Sequence, residues 1–249
     1  MTAVVNDIAI SYTDVGVGTP LLCLHGGMGI DGASLRVPGI LRLADCGLRV
    51  VIPDQRGHGA SAAGDPACYS HETWVEDARA LLTHLGVARS ALLGHSYGGF
   101  IALEFALRCP DVLTHLVLVG TSAGPIQVPA AAVGSNEELC EGFRAIWPRY
   151  FSGRDKHWAL FDALAFSAPA YNAAFTRELL RYDLRARVAG IRTSTLLVVG
   201  ADDWYRRDIE WLAGRLPNAT LCVMDGAGHF PFVEAESQFI DTVAEFLTR

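Results

Sequence analysis

The sequence of 249 residues lacks the segments that are typical of membrane-inserted and exported proteins. Although 51% of its residues are hydrophobic, no run approaches the ~18 uninterrupted apolar residues that a membrane-spanning helix requires. The first stretch, MTAVVNDIAISYTD, lacks the basic and apolar regions of a signal peptide. These absences predict a cytoplasmic protein that does not interact with membranes.

The sequence also lacks metal-binding and nucleic-acid-binding patterns. Its six cysteines are scattered, without a Cys-x-x-Cys pair or nearby histidines, so we expect neither a zinc site nor another cofactor. The formal net charge is -7 and the basic residues form no cluster, which argues against a nucleic-acid partner. The remaining expectation is a small-molecule substrate. The oligomeric state is left open, and a homodimer is compatible with the sequence.

Short apolar runs recur along most of the chain, bounded by Gly, Pro or Asp. They are PLLCLHG, LRVVIPD, SALLGHS, THLVLVGT, STLLVVGAD and ATLCVMDG. They show no alternation of apolar and polar residues, which is typical of strands covered on both faces. Helical spacing of apolar residues occurs between them, for example over 74–85 and 240–247. The pattern predicts an α/β protein with a mostly parallel sheet flanked by helices.

One long segment, residues 123–188, contains no good strand pattern. Ser135 and Glu138 form a capping box at the start of a helical stretch, and aromatic helical patterns follow. We therefore predict a helical subdomain, residues 123–188, inserted into a core built from 1–122 and 189–249.

The stretch GHSYGG, residues 94–99, stands between a strand pattern and a helix pattern. Glycines on both sides of Ser96 permit the sharp strand-to-helix turn of a nucleophile elbow, which exposes the serine beside a helix N-terminus. A serine hydroxyl attacks a carbonyl only when a base removes its proton and an acid orients that base. This elbow therefore needs an acid and then a histidine later in the chain.

Two later strand ends supply these groups. Asp202 and Asp203 follow the strand pattern LLVVG, and His229 follows the last strand in a Gly-x-Gly-His turn. Carboxyl ends of parallel strands meet at one edge of a sheet, where such folds place their sites. Ser96, Asp203 and His229 are the candidate catalytic triad.

Acyl transfer also needs donors for the oxyanion. The backbone N–H of Tyr97, directly after the nucleophile, is one candidate. The loop LHGGMG offers the second, for which we favour Gly27 and keep Met28 as the alternative. Large apolar residues near these motifs and in the insert are predicted to line a substrate pocket. They are Met28, Trp147, Trp158, Trp204 and Phe230.

The motifs HGGMG, DQRGHGAS, GHSYGG, GADDW and GAGHF, in this order, resemble the α/β-hydrolase superfamily over essentially the whole chain. The resemblance implies an α/β-hydrolase fold with an eight-stranded sheet, and it makes the helical insert a cap over the active site. It selects Asp203 over Asp202 as the acid. It also makes Asp54, Arg56 and Gly57 part of a structural turn.

Within the superfamily, the chain resembles the proline iminopeptidase-like branch and small ester and lactone hydrolases. It departs from the peptidase at Met28, where proline is usual, and at Tyr97, where tryptophan is usual. Cap carboxylates hold the free amine in that peptidase. Four glutamates could do so here, but each also suits an exposed helix face; they are Glu137, Glu138, Glu141 and Glu178.

The sequence thus predicts a serine hydrolase that cleaves a small, largely apolar ester, lactone, thioester or amide through an acyl-enzyme. Two alternatives remain open. One is a proline iminopeptidase-type aminopeptidase. The other is a non-hydrolytic lyase or small-molecule receptor on the same fold.

Overall fold

The computed structural model describes residues 1–126 and 131–248. One sheet contains the eight strands of the described residues, in the spatial order β1-β2-β4-β3-β5-β6-β7-β8. The strands are β1 (Thr2–Val5), β2 (Ile8–Val15), β3 (Thr19–Leu24), β4 (Leu48–Pro53), β5 (Ser90–His95), β6 (Leu113–Val119), β7 (Ser194–Gly200) and β8 (Ala219–Met224). The mostly parallel eight-stranded sheet of the prediction is confirmed.

The register of the sheet brings the carboxyl ends of its central strands level with one another. β1 pairs with β2, and β2 with β4, in antiparallel fashion, whereas every later pair is parallel. Leu24 lies opposite Gly94, His95 opposite Val119, and Gly200 opposite Met224. The loops that follow these strands therefore emerge at one edge, as predicted for the candidate site residues.

Helices cover both faces of the sheet. They are α1 (Pro38–Leu41), α2 (His71–His84), α3 (Tyr97–Arg108), α4 (Asn136–Ile146), α5 (Trp158–Asp162), α6 (Ala168–Ala173), α7 (Arg206–Ala213), α8 (Pro231–Glu234) and α9 (Glu236–Thr248). Residues of α2, α3 and α7 belong to one buried cluster, and residues of α1, α8 and α9 to the other. Neighbouring residues on β3 such as Leu21 and Leu22 are fully buried in opposite clusters, which explains the missing alternation.

The described residues between β6 and β7 form helices and turns, with a single bridge between Ile30 and Phe166. The predicted capping box starts α4, because the Ser135 hydroxyl accepts a hydrogen bond from the Glu138 backbone N–H at 3.2 Å. α4 to α6 and a π-helical turn, Ala174–Glu178, follow one another in this segment. Within residues 1–126 and 131–248, none of the helices has the length and apolarity to cross a bilayer.

Helix α3 approaches the sheet at backbone contact distance. A Cβ atom added at Gly98 would overlap the carbonyl oxygen of Leu24, at the end of β3, and would also press on the backbone of His25. Backbone atoms cannot move aside as the end of a flexible side chain can. Gly98 therefore sets how closely α3, and with it the turn at Ser96, sits on the sheet.

We predict that Gly98→Ala lowers the free energy of unfolding by about 1–3 kcal/mol or more, because the added methyl group overpacks a contact between backbones. Urea denaturation would measure the change. Gly190→Ala is the matched control, since nothing lies within 4 Å of a Cβ at that position. The control should change stability by less than about 1 kcal/mol. Equal stabilities for the two variants would contradict this account of the glycine.

Candidate active site

Ser96 lies between β5 and α3 with backbone angles of φ +53° and ψ -119°. This conformation is unfavourable for a residue with a Cβ atom, so the surroundings must hold it. The Ser96 N–H donates to the Val119 carbonyl at 2.8 Å, and the Ser96 carbonyl accepts from the Thr121 hydroxyl at 2.8 Å. A Cβ at Gly94 would lie 2.7 Å from Ala102 Cβ. The predicted elbow geometry is therefore present, and hydrogen bonds to β6 and the loop after it fix it.

His229 and Asp203 form a buried hydrogen-bonded pair. His229 Nδ1 lies 3.0 Å from Asp203 Oδ2, and the two residues are only 2% and 4% exposed. The other carboxylate oxygen, Oδ1, accepts from the Tyr205 backbone N–H at 2.9 Å. Asp202 instead accepts a hydrogen bond from the Ser152 hydroxyl. With Nδ1–H donated to Asp203, the neutral ring carries its lone pair on Nε2.

The ring and backbone of His229 are held on several sides. Its N–H donates to the Tyr150 carbonyl at 2.7 Å, and its own carbonyl accepts from His95 Nε2 at 2.8 Å. The Trp204 ring stacks on the imidazole with centroids 4.4 Å apart and planes 25° apart. These contacts leave the ring little freedom to rotate.

Glu234 joins the loop before His229 to the inserted segment. Its carboxylate accepts backbone N–H groups of Gly228 at 2.7 Å, Gly153 at 2.8 Å and Ser152 at 3.2 Å. A carboxylate that accepts several amides fixes the chains carrying them. Glu234 thus couples the position of His229 to residues 150–153 of the insert.

Gly120 occupies the space beside the Asp203–His229 pair. Its φ is +51°, and a Cβ there would lie 2.5 Å from Asp203 Oδ2 and 3.0 Å from His229 Nδ1. A side chain at this position would therefore separate the carboxylate from the imidazole. The sequence analysis did not identify Gly120, although its place at the end of a central strand pattern was a usable signal.

The loop after β3 carries Gly27 and is fastened to the DQRGHG turn. His58 Nε2 accepts the Gly29 N–H at 3.0 Å, and Asp54 Oδ1 accepts the Gly32 N–H at 3.0 Å. Burial lowers the pKa of His58 to about 3, so its ring stays neutral and keeps the lone pair that this bond needs. Across the cavity, Tyr97 begins α3, where a backbone N–H has no acceptor within its own helix.

Two cavities have Ser96 in their lining. The larger has a volume of about 480 Å³. Its lining contains Gly27, Ser96, Val133, Glu138, Leu139, Gly142, Phe143, Ile146, Arg149, Tyr150, Tyr171, Phe175, Trp204 and Tyr205. The smaller measures about 20 Å³ and is bordered by both Ser96 and His229. The structure thus brings nucleophile and imidazole candidates to one cavity, lined mainly by apolar and aromatic side chains.

The predicted pocket residues fall into two groups. Trp204 lines the large cavity, and Trp147 and Phe230 line the small one. For the other two residues, Met28 and Trp158, the prediction is wrong. Met28 is fully buried in the core, where its sulfur lies 3.9 Å from Gln55 Nε2, and Trp158 lies 40% exposed on a separate surface depression. Both residues were predicted to line the pocket because they are large and apolar, but the sequence does not specify the direction of either side chain.

Tyr150 and Tyr205 line the large cavity but were missed. The Tyr150 ring lies 5.4 Å from that of His229 and 4.9 Å from that of Trp204, and the Tyr205 ring lies 5.6 Å from His229. The position of Tyr205, next to Trp204 and two residues after Asp203, was an available signal. Tyr150 has no such neighbour in sequence, because the fold of the insert brings it to the histidine.

Comparison with known proteins agrees with this architecture. The sequence model of the Alpha/beta hydrolase family matches residues 21–242. A 2-hydroxymuconate semialdehyde hydrolase of Pseudomonas sp. strain CF600 is 28% identical, covering 96% of this chain and 90% of its own. A proline iminopeptidase of Lactobacillus helveticus is 27% identical, covering 92% and 89%. The solved enol-lactonase of Burkholderia xenovorans LB400 superposes with a TM-score of 0.86 over 100% of both chains, at 24% identity.

A second hydrogen-bonded pair of buried side chains joins the start of α2 to the start of α3. His71 Nε2 and the Tyr97 hydroxyl are 2.8 Å apart, and the His71 N–H donates to Glu178 Oε2 at 3.1 Å. Burial, with a smaller contribution from the Arg108 charge, lowers the pKa of His71 to about 4. Glu178 is therefore engaged at the start of α2. Glu137 and Glu141 are exposed, as their helix-face interpretation predicted, whereas the exposed Glu138 also lines the large cavity.

We predict that His71 makes the fold sensitive to acid. Between pH 6.5 and about 4 the unfolded chain binds a proton on His71 that the folded protein does not, so stability falls as the pH drops through this window. One such proton changes the free energy of unfolding by about 1.4 kcal/mol per pH unit. His71→Gln should reduce the slope of stability against pH by about this amount in urea titrations.

His84→Gln, at the exposed end of the same helix, should leave the slope as in the unmodified protein. If His71→Gln also left it unchanged, His71 would not be the neutral, buried group described above.

Proposed function

This chain belongs to the Alpha/beta hydrolase family, and we propose that it is a serine hydrolase that cleaves a small, largely apolar ester, lactone, thioester or amide. Ser96 is the nucleophile, His229 the general base and acid, and Asp203 the residue that orients His229. The backbone N–H groups of Tyr97 and Gly27 stabilise the oxyanion. Residues 123–188 act as a cap that contributes much of the substrate cavity.

One observation supports this proposal above the others: His229, which is hydrogen-bonded to the buried Asp203, borders the same cavity as a serine in an elbow conformation. Each part alone has structural explanations, since buried histidines commonly satisfy local hydrogen bonds. Their combination at the carboxyl edge of the sheet matches the division of roles that serine catalysis needs. The hydrolases among the relatives support the reaction class.

In the first half of the reaction, Ser96 Oγ attacks the substrate carbonyl while His229 Nε2 takes the hydroxyl proton. Asp203 stabilises the imidazolium that forms, and the Tyr97 and Gly27 amides hold the negative charge on the carbonyl oxygen. When the tetrahedral intermediate collapses, the bond to the leaving group breaks and His229 returns the proton to that group. The product of this half is an acyl-enzyme on Ser96.

In the second half, water attacks the acyl carbon and gives a proton to His229. The second intermediate collapses by breaking the bond to Ser96 Oγ, which regains its proton from the imidazolium. The acid is released and the enzyme is restored. Because Trp204 stacks on His229 and the Tyr150 carbonyl binds its backbone, the imidazole keeps one orientation through both proton transfers.

Cavity lining supports the choice of substrate class. Leu139, Phe143 and Ile146 present apolar side chains from one face of α4, and Tyr171 and Phe175 stack on each other with ring centroids 4.6 Å apart. A pocket of this size and character favours a compact apolar acyl or alcohol group. Gly27 borders both cavities next to Ser96, whereas Met28 borders neither, which favours Gly27 as the second oxyanion donor.

We predict that Ser96→Ala lowers kcat for p-nitrophenyl esters by about 10³-fold or more, because no other group replaces the attacking oxygen. A fluorophosphonate probe should label the unmodified protein, and Ser96→Ala and His229→Ala should each abolish labelling. A panel of p-nitrophenyl esters, lactones and prolyl amides would then rank the substrate classes.

Ser237→Ala is the control, because this serine is exposed on α9. It should retain full labelling and activity. A purified, folded Ser96→Ala variant that kept most of its esterase activity would exclude the mechanism.

A further inference from the structure

The large cavity contains two charged side chains among the described residues of its lining, Glu138 and Arg149. They lie at opposite ends of the face that α4 and the turn after it present to the cavity. Glu138 stands in the first turn of α4, and Arg149 stands three residues after that helix ends at Ile146. The two charges therefore mark different parts of the binding space.

Glu138 has structural partners of its own. Its carboxylate accepts the Gly134 backbone N–H at 2.6 Å, and it sits at the positive end of the α4 dipole. Its own N–H donates to the Ser135 hydroxyl. The negative charge at this end of the cavity is thus accounted for by the start of the helix.

Arg149 lacks an equivalent partner. Among the described residues, no carboxylate forms an ion pair with it, and the guanidinium makes no hydrogen bond. Arg144, on α4, instead pairs with Asp162 and lies over the Phe161 ring. Arg149 therefore brings five unpaired N–H donors and a full positive charge to a cavity whose other lining residues, apart from Glu138, are uncharged.

Arg149 directly precedes Tyr150, which lines both cavities together with Ser96. Its neighbour Tyr150 contacts the rings of both Trp204 and His229. Burial raises the pKa of the Tyr150 hydroxyl, and the Arg149 charge opposes that rise. Ser96, Tyr150 and Arg149 line the same large cavity, so a substrate bound there can reach both the serine and the cation.

We propose that Arg149 binds a carboxylate carried by the substrate, so that the preferred substrates are esters or lactones with a second, ionised acid group. A guanidinium matches a carboxylate with two parallel hydrogen bonds, and their strength increases when a bound substrate displaces water from the aromatic walls. The apolar lining then holds the carbon skeleton between the two ends. This inference rests on the serine hydrolase function proposed above.

Two matched pairs of esters test the proposal. One pair carries the carboxylate on the acyl side: mono-p-nitrophenyl glutarate and its methyl ester. The other carries it on the alcohol side: 4-acetoxybenzoate and its methyl ester. The measured quantity is the ratio of kcat/KM for the charged member to that for the neutral member, in the unmodified protein and in Arg149→Met.

In at least one pair, Arg149→Met should lower this ratio about tenfold or more, mainly through a higher KM for the charged ester, because a charge-assisted interaction is lost. The neutral ester should change by less than about twofold. Arg149→Lys should restore part of the ratio, since it keeps the charge but not the paired donors. Added salt should raise KM for the charged ester in the unmodified protein more than in Arg149→Met.

Arg154→Met is the matched control, because Arg154 is exposed in the same segment but is absent from the cavity lining. It should leave all ratios unchanged. Ratios that Arg149→Met left unchanged in both pairs, with turnover still dependent on Ser96, would overturn the carboxylate site alone. Failure of the serine hydrolase proposal would look different: no ester of either pair would be hydrolysed in a Ser96-dependent way.

Discussion

The candidate site depends on how closely backbone segments approach one another at the carboxyl edge of the sheet. Gly98 lies against the carbonyl of Leu24, Gly120 against the Asp203 carboxylate, and Gly200 against the carbonyl of Ala227. A Cβ atom at any of these three positions would overlap a neighbouring atom. Because glycine leaves that space open, the ends of five strands and the loops after them can approach one another, and a 3.0 Å hydrogen bond between Asp203 and His229 can form.

Close approach buries many polar groups, and the protein keeps most of the imidazoles among them neutral. Burial lowers the pKa of His58 and of His95, the latter far below its usual value. The neutral His58 ring accepts the Gly29 N–H, and the neutral His95 ring donates to the His229 carbonyl. Neither hydrogen bond requires a buried charge, which would cost free energy. Where charges are buried they are paired, as in the 2.7 Å contact of Arg56 with Asp77. The resulting network fixes the donors and the imidazole before any substrate binds.

The sequence was informative wherever local pattern and chain order determine the structure. Six strands were predicted from apolar runs, and five of them are mostly buried. β8 was predicted to be covered on both faces, but it lies at a sheet edge, where Thr220 and Leu221 are exposed. β1 and β2, along which burial alternates, were not located. An acid after one strand and His229 after the next were predicted from their places in the chain, and the resemblance to α/β-hydrolases selected Asp203 over Asp202. Tyr150 and Arg149 could not be found in this way, since both reach the site through the fold of the insert. Glu234 lies on α8 of the core, but its role depends on the insert residues that it binds, Ser152 and Gly153. The same reason explains why Met28 and Trp158 were misplaced: side-chain direction depends on packing that one sequence does not display.

In the proposed function, the core carries the reacting groups, and the insert carries the side chains that select the substrate. Ser96, Asp203 and His229 stand on the ends of core strands and are fixed by contacts that tolerate few changes. Leu139, Phe143 and Arg149 come from one short stretch of the insert and touch none of the hydrogen bonds that orient the imidazole. Substitutions there can alter the size and charge of the cavity while the elbow stays intact. The motifs at the strand ends therefore predict the class of chemistry, whereas in our proposal the side chains of α4 and the following turn determine which molecule undergoes it.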